Sequence, residues 1–387
     1  MRGISFMFQI FGKPRNITEV IRNRKISWLE LFYDLIFAVV IGRITDGVVE
    51  HFSIQLLINS FIIFGWFFWS WHETSGYFDN HGNDSVLNIG IINIQMILTG
   101  IAAIYIPEAI EGHFRYLIIA LLPIELMLIF VWYAISYFDA AHGPASKIWS
   151  RTYMGAFIFL LTSALVREPV QYILIIVALI INYSAVFFAN SALKHEYTTI
   201  KMPYVLKDSL IERYGLMTMI ALGEMISGLY AKLNNIVPLR LFDFIMGVVL
   251  AALIGAVYYQ VIGELHIQMH SSVQVMGVRW LFLLDIYLII LNAVFLQLLL
   301  AENSRLIKVA FIIVLFASLF MMWVIQRITA QKVADHRAGL GFFTVEFLIL
   351  IVTIILPTPV MLGLVNLVLL VINIRYRRKI NQVLIKP

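Results

Sequence analysis

The sequence predicts an all-α polytopic integral membrane protein of about 12 transmembrane helices. Three observations predict it. Of the 387 residues, 61% are apolar and only 13% are charged, about half the charged share of a soluble domain. The mean hydropathy is +0.89, whereas a soluble globule of this length needs a far more polar surface. Apolar runs of about 20 residues, the length that crosses a bilayer as a helix, recur from end to end. The same figures exclude a disordered chain, which would combine low hydrophobicity with high net charge, because the net charge here is only +5. Cysteine is absent, which excludes disulfides, thiolate metal sites, cysteine nucleophiles and iron–sulfur clusters.

Residues 1–27 read as a basic cytoplasmic tail. Its apolar run at 4–11 reads as an interfacial segment or as a disordered end; no small-residue cleavage site follows it, so it does not read as a signal peptide. Spans follow at 28–49, 55–77, 86–106, 114–137, 149–166 and 170–192, which make a first six-helix half. The polar stretch 193–209 is a cytoplasmic linker. A second half holds spans at 210–230, 241–262, 277–300, 306–325, 341–356 and 359–374, and a basic tail closes the chain at 375–387. Only the turn Pro357-Thr358-Pro359 separates the last two, which are a hairpin of two short spans or one broken pair, so ten to twelve spans is the range.

The positive charges orient the chain. With the amino end inside and twelve alternating spans, inside segments with the adjoining span ends hold 20 Lys and Arg and the outside ones hold 6, namely Arg115, Arg167, Lys232, Arg240, Arg305 and Lys308, with Arg43 and Arg213 in or at the edge of spans completing the 28. Cytoplasmic loops carry the excess of Lys and Arg, so both termini are expected in the cytoplasm of a cell membrane. The pI near 9.2 then reports orientation and no nucleic-acid partner. Arg375, Arg377, Arg378 and Lys379 read as an anchor on anionic lipid. A faint likeness links spans one and seven: Tyr33-Asp34-Leu35 and Tyr214-Gly215-Leu216 each precede glycines at matching distances, Gly42 and Gly47 in one, Gly223 and Gly228 in the other. Six spans per half would make the repeats parallel in topology.

Ionisable groups within spans are expensive and mark functional candidates. In span one, Glu30 and Asp34 are four apart and share a helical face with Phe37 and Ile41, while Arg43 and Asp46 are three apart and can neutralise each other. The end of span two carries Trp66, Trp69, Trp71, His72, Glu73, Tyr77, Asp79, His81 and Asp84. An aromatic belt accounts for the rings. The acids sit in an inner loop with no Lys or Arg, which makes sense if they meet bases of another inner segment or bind a cation or proton. His72 and Glu73 are adjacent and do not have metal-ligand spacing. In span seven, Glu212-Arg213 is followed by Glu224, about 18 Å further along the helix, which suits a proton carrier or a neutral buried acid. Glu125, Asp285, Asn292 and Glu346 read as single helix–helix hydrogen bonds.

No Walker-type phosphate loop, G-x-S-x-G, H-E-x-x-H or dinucleotide fingerprint is present. No cofactor is implied, and an enzyme is the less favoured class.

Ser27-Trp28-Leu29-Glu30-Leu31-Phe32-Tyr33-Asp34-Leu35-Ile36-Phe37 resembles the E-L-F-F-D-L-V-F motif that opens the bacterial low-temperature-requirement A (LtrA) family. The aromatic run from Trp66 to Asp84 is similar to that family's second-span motif. Glu212-Arg213-Tyr214-Gly215-Leu216 with Leu222-Gly223-Glu224 resembles its E-R-F-G-L…L-G-E segment. The chain departs at Ser209, where members usually carry His, and at Tyr258-Tyr259-Gln260, where they tend to close in Phe-Asp. The resemblance implies a polytopic inner-membrane protein and supplies no substrate. The leading functional expectation is a secondary transporter or permease for a small solute or ion, coupled to protons through Asp34, Glu73 and Glu224, with Arg43 or Arg213 as charge partner. The alternative is a non-transporting stress or cold-adaptation protein, or an enzyme on lipid headgroups.

Overall fold

The computed structural model describes residues 12–19, 24–231, 238–263, 265–302, 304–329, 347 and 349–384. It is an all-α membrane protein with one two-stranded sheet. In chain order the elements are α1 (Trp28–Glu50), α2 (Ile54–His81), α3 (Val86–Ala103), α4 (Ile106–Ile110), α5 (Arg115–Phe138), α6 (Gly143–Leu165), α7 (Val170–Thr199), β1 (Tyr204–Leu206), α8 (Asp208–Ala231), α9 (Pro238–Ile262), β2 (Ile267–Met269), α10 (Ser272–Ala301), α11 (Arg305–Thr329), a 3-10 turn (Thr353–Ile355) and α12 (Thr358–Leu384). Among the described residues, eight helices are long and apolar enough to cross a membrane: α2, α3, α5, α7, α9, α10, α11 and α12. Helices α1, α6 and α8 also lie where spans were expected but fall short of that mark in apolar character. The expected span at 341–356 and the apolar run at 4–11 fall wholly or largely outside the described residues.

The starts of the first helices are written in serines. Ser27, Ser53 and Ser85 each accept a hydrogen bond from a backbone N–H of the first turn, and Ser27 with Glu30 completes a reciprocal capping box. Pro123 lies inside α5, a position that a membrane helix tolerates when its neighbours satisfy the freed backbone group.

The chain forms two compact units. The first comprises residues 1–213 and 268–279. Its centre is α2, buried almost all round from Asn59 to Asp79, as befits a helix that is apolar on every face. Helices α6 and α7 pack by a coiled-coil rhythm: α6 buries Trp149, Tyr153, Ala156, Leu160 and Ser163, and α7 buries Ile175, Ala178, Asn182, Ala185 and Ala189, in steps of three and four. Alanine and serine at these steps let backbones approach, which is what holds helices together where lipid removes the hydrophobic drive. The outward face of α1 exposes Phe32 52%, Leu35 53% and Val39 50%, an apolar surface that only lipid can cover.

The second unit comprises residues 214–267 and 280–387. Helix α10 is its core, with Phe282, Ile286, Ile289, Ile290, Ala293 and Leu296 fully buried. Helices α9 and α12 are bonded at intervals of seven. Asn366 donates to the Met246 carbonyl at 2.9 Å and Asn373 to the Leu253 carbonyl at 3.2 Å. Gln260 then donates to Asn373 Oδ1 at 3.1 Å.

Candidate functional site

The first unit gathers its charges where four helix ends meet: the amino ends of α1, α8 and α10 and the carboxyl end of α2. The helix dipole favours acids at the former and bases at the latter; Glu30 and Asp34 at the start of α1 and His81 at the end of α2 follow this, whereas Asp79 near the end of α2 and Arg213 and Arg279 near the starts of α8 and α10 run against it. Glu30 and Asp34 lie in the first two turns of α1. Both are buried, at 1% and 0% exposure, as the shared face with Phe37 and Ile41 required. Arg213, six residues into α8 and 1% exposed, holds both. Its Nε donates to Asp34 Oδ2 at 3.0 Å, its Nη2 to Asp34 Oδ1, and its Nη1 to Glu30 Oε2 at 3.4 Å. The fork thus grips one carboxylate in two-point fashion. Trp71 Nε1 donates to the same Asp34 Oδ1 at 2.6 Å, and the Arg213 guanidinium lies 5.4 Å from the Trp71 ring centre, within cation–π range.

Arg24 ties this pair to Asp79. It donates to Glu30 Oε1 and, at 3.2 Å, to Asp79 Oδ1. Ser209 Oγ donates to the same Asp79 oxygen at 2.7 Å, so this serine is part of the network. The Asp79 carbonyl, one of the orphan acceptors at the end of α2, receives Arg15 Nη2 at 2.6 Å and Lys207 Nζ at 2.7 Å. The end of α2 and the loop after it, which have no Lys or Arg of their own, thus have Asp79 beside Arg15 and Arg24 from ahead of α1 and Lys207 from ahead of α8. Burial pulls the Lys207 ammonium down to about 8, with Arg15, Arg24 and Arg279 adding to the effect and Asp79 opposing it. Burial likewise lowers Arg15, with Arg24 next in weight.

A second polar set runs deeper. Arg279 Nη1 donates to His72 Nε2 at 2.9 Å. Arginine only donates, so Nε2 is the accepting nitrogen and Nδ1 carries the proton, 3.3 Å from Glu73 Oε1. Tyr153 and Glu125 are within electrostatic reach of Glu73, and Asn182 Nδ2 donates to Glu125 Oε2 at 3.0 Å. By helix rise, Glu73 lies about 12 Å from the carboxyl end of α2 and Glu125 about 20 Å from the carboxyl end of α5. Buried acids thus descend from the helix ends toward mid-membrane depth.

A third set joins the loops at the same helix ends. His142 Nδ1 meets both oxygens of Glu196 at 2.9 Å, and its ring lies 5.4 Å from that of His81. His81 Nδ1 bonds the Arg15 carbonyl at 2.8 Å, Asp139 accepts from the Ile17 N–H at 2.6 Å, and Asn83 donates to the Lys13 carbonyl at 2.6 Å. Residues 13–17 are therefore strapped across two loops. Among the described residues, no group of three or more His, Asp or Glu is arranged to hold a metal ion.

Not every expected residue joins. Arg43 and Asp46 are both exposed on α1, and Glu212 is exposed beside buried Arg213. Glu224 belongs to the second unit and is half-buried. Glu125 and Asn292 make the single interhelical bonds expected, to Asn182 and Ser318, whereas Asp285 makes none. Glu346 lies outside the described residues. Reasoning from the sequence missed Arg24, Lys207, Ser209, His142 and Glu196 as partners, because each bond spans a loop or several helices.

With this geometry, the comparison with known families is decisive for kinship. The model of the bacterial low temperature requirement A protein (LtrA) matches residues 25–374. The chain belongs to this family. The match encloses Glu30, Asp34, Asp79 and Arg213, and it supports membrane residence. No curated protein and no solved structure matches the LtrA chain.

Proposed function

We propose that this LtrA-family protein is a secondary transporter of a small solute or ion, coupled to protons through the buried carboxylates of its first unit. The observation that carries the reading is Arg213, 1% exposed and gripped by Asp34 and Glu30. Charges so placed are costly and are retained where they handle ions or protons. A guanidinium fork also suits a carboxylate or phosphate. A proton taken up by Asp34 weakens its hold on Arg213, and an anionic solute can then take the carboxylate's place. Proton and anion together enter with no net charge. The acids from Asp79 through Glu73 to Glu125 supply a route for the proton. In this reading about 12 spans, in two six-helix halves joined by 193–209, place both termini in the cytoplasm, and Glu224 serves the second half.

The test is uptake into proteoliposomes under an imposed pH gradient, with labelled organic and inorganic anions and cations offered in turn. The expected result is gradient-dependent uptake of an anion that Asp34→Asn and Arg213→Lys each reduce at least tenfold in folded protein. Unchanged uptake in both variants overturns the assignment.

A second reading has its own support. Arg15, Arg24, Lys207 and Arg279 collect at one end of the helices, the level of lipid headgroups, which favours a protein that handles anionic headgroups. It predicts no solute movement and altered lipid composition in membranes lacking the protein.

A further inference from the structure

Asp285 lies in the middle of α10, the core helix of the second unit. It is 0% exposed, and so are its neighbours Phe282 and Ile286. Among the described residues, neither of its carboxylate oxygens has a hydrogen-bond partner. The contrast with the first unit is sharp. There Asp34 has Arg213, Asp79 has Arg24 and Glu196 has His142, while Glu125 accepts from Asn182. Among the described residues, no Lys, Arg or His acts on Asp285. The titratable groups in range are phenols: Tyr258 of α9 interacts with Asp285, and behind Tyr258 stand Tyr214 and the Thr218 hydroxyl of α8.

An ionised carboxylate with no counter-charge and no donor in hydrocarbon is so costly that such groups take up a proton instead. We propose that Asp285 is a proton-binding site of the second unit, with its carboxyl protonated at neutral pH beside the Tyr258 phenol. A metal ion fits poorly, because a hard cation wants about six oxygens and the described residues hold no group of three or more His, Asp or Glu placed to bind one. No residue of the first unit is invoked, so the assignment does not depend on anion binding at Arg213. An acid that stays neutral in the core and ionises only when water or a cation reaches it would make the second unit responsive to protons in its own right.

The experiment is infrared spectroscopy of the full chain reconstituted in lipid at neutral pH, unlabelled and with carbon-13 at the aspartate side-chain carboxyl. The expected spectrum has a protonated-acid carbonyl band that shifts to lower frequency with the label. That band vanishes in Asp285→Asn. In Asp285→Glu an acid band remains but no longer answers to the aspartate label, which also covers the case where the asparagine variant does not accumulate. Glu125 cannot imitate the result, since the label leaves glutamate untouched. A wild-type spectrum without a label-sensitive acid band, or one whose band persists undiminished in the variants, overturns the proposal. No solute is needed, so the outcome stands apart from that of the uptake assay.

Discussion

Arg213 holds two buried acids at once, so its loss strands both. Replacing Arg213 with Met is expected to destabilise the protein by about 3–5 kcal/mol, the range for removing one partner of a buried ion pair. Thermal unfolding in detergent reads this directly, and Asp34→Asn in the same background should recover part of the loss. Lys207 gives a pH signature. Its folded value of about 8 lies below the ordinary 10.5. Between those values the unfolded chain binds more protons than the folded one, so stability rises with pH across that window. The melting temperature of wild type relative to Lys207→Met should climb from pH 8 toward pH 10.5; a flat difference would assign the lysine a solvated environment. The first-span acids were legible in the sequence as a pair on one face of a helix. Their bases were not, because Arg24 reaches Asp79 across 55 residues and Arg213 reaches Asp34 across 179, and periodicity says nothing about partners so far away.

At the scale of elements, local rules and long-range fit divide the work. Ser27→Ala removes the capping box of α1 and should cost about 1 kcal/mol, seen as an earlier unfolding transition. In the second unit, a β-carbon at Gly228 would stand 1.8 Å from Gln297 Nε2, so α8 and α10 approach there by grace of a missing side chain. Gly228→Ala is expected to lower the melting temperature, and Gln297→Ala in combination to restore most of it; the double-mutant cycle measures the coupling. Asn366→Ala and Asn373→Ala should each cost about 0.6–1.7 kcal/mol, the span for interhelical hydrogen bonds in lipid. Eight of the expected spans coincide with helices long and apolar enough to cross a membrane, because length and hydropathy are local. Which helices pair, and that asparagines seven apart meet carbonyls seven apart, depends on packing that no single segment encodes.

For the whole molecule, composition alone carried the membrane assignment, and the motifs around Glu30, Trp66 and Glu212 carried the kinship. The charge tally predicts termini on the same side. Maleimide labelling of single cysteines introduced at positions 25 and 380 in intact cells should fail for both until the membrane is opened; labelling of both would reverse the topology, and labelling of one alone would put the termini on opposite sides. The distribution of charge across the membrane is a global sum over loops, so it yields an orientation to test but says nothing about which side chains meet at a site. The strap of residues 13–17, pinned at Asn83, His81 and Asp139, bears on how the molecule is handled. A fusion partner hung immediately ahead of it tugs on three fastenings that close the loops over the acids, whereas one placed behind the last helix pulls on none. Affinity handles and fluorescent reporters therefore belong at the far end of the polypeptide.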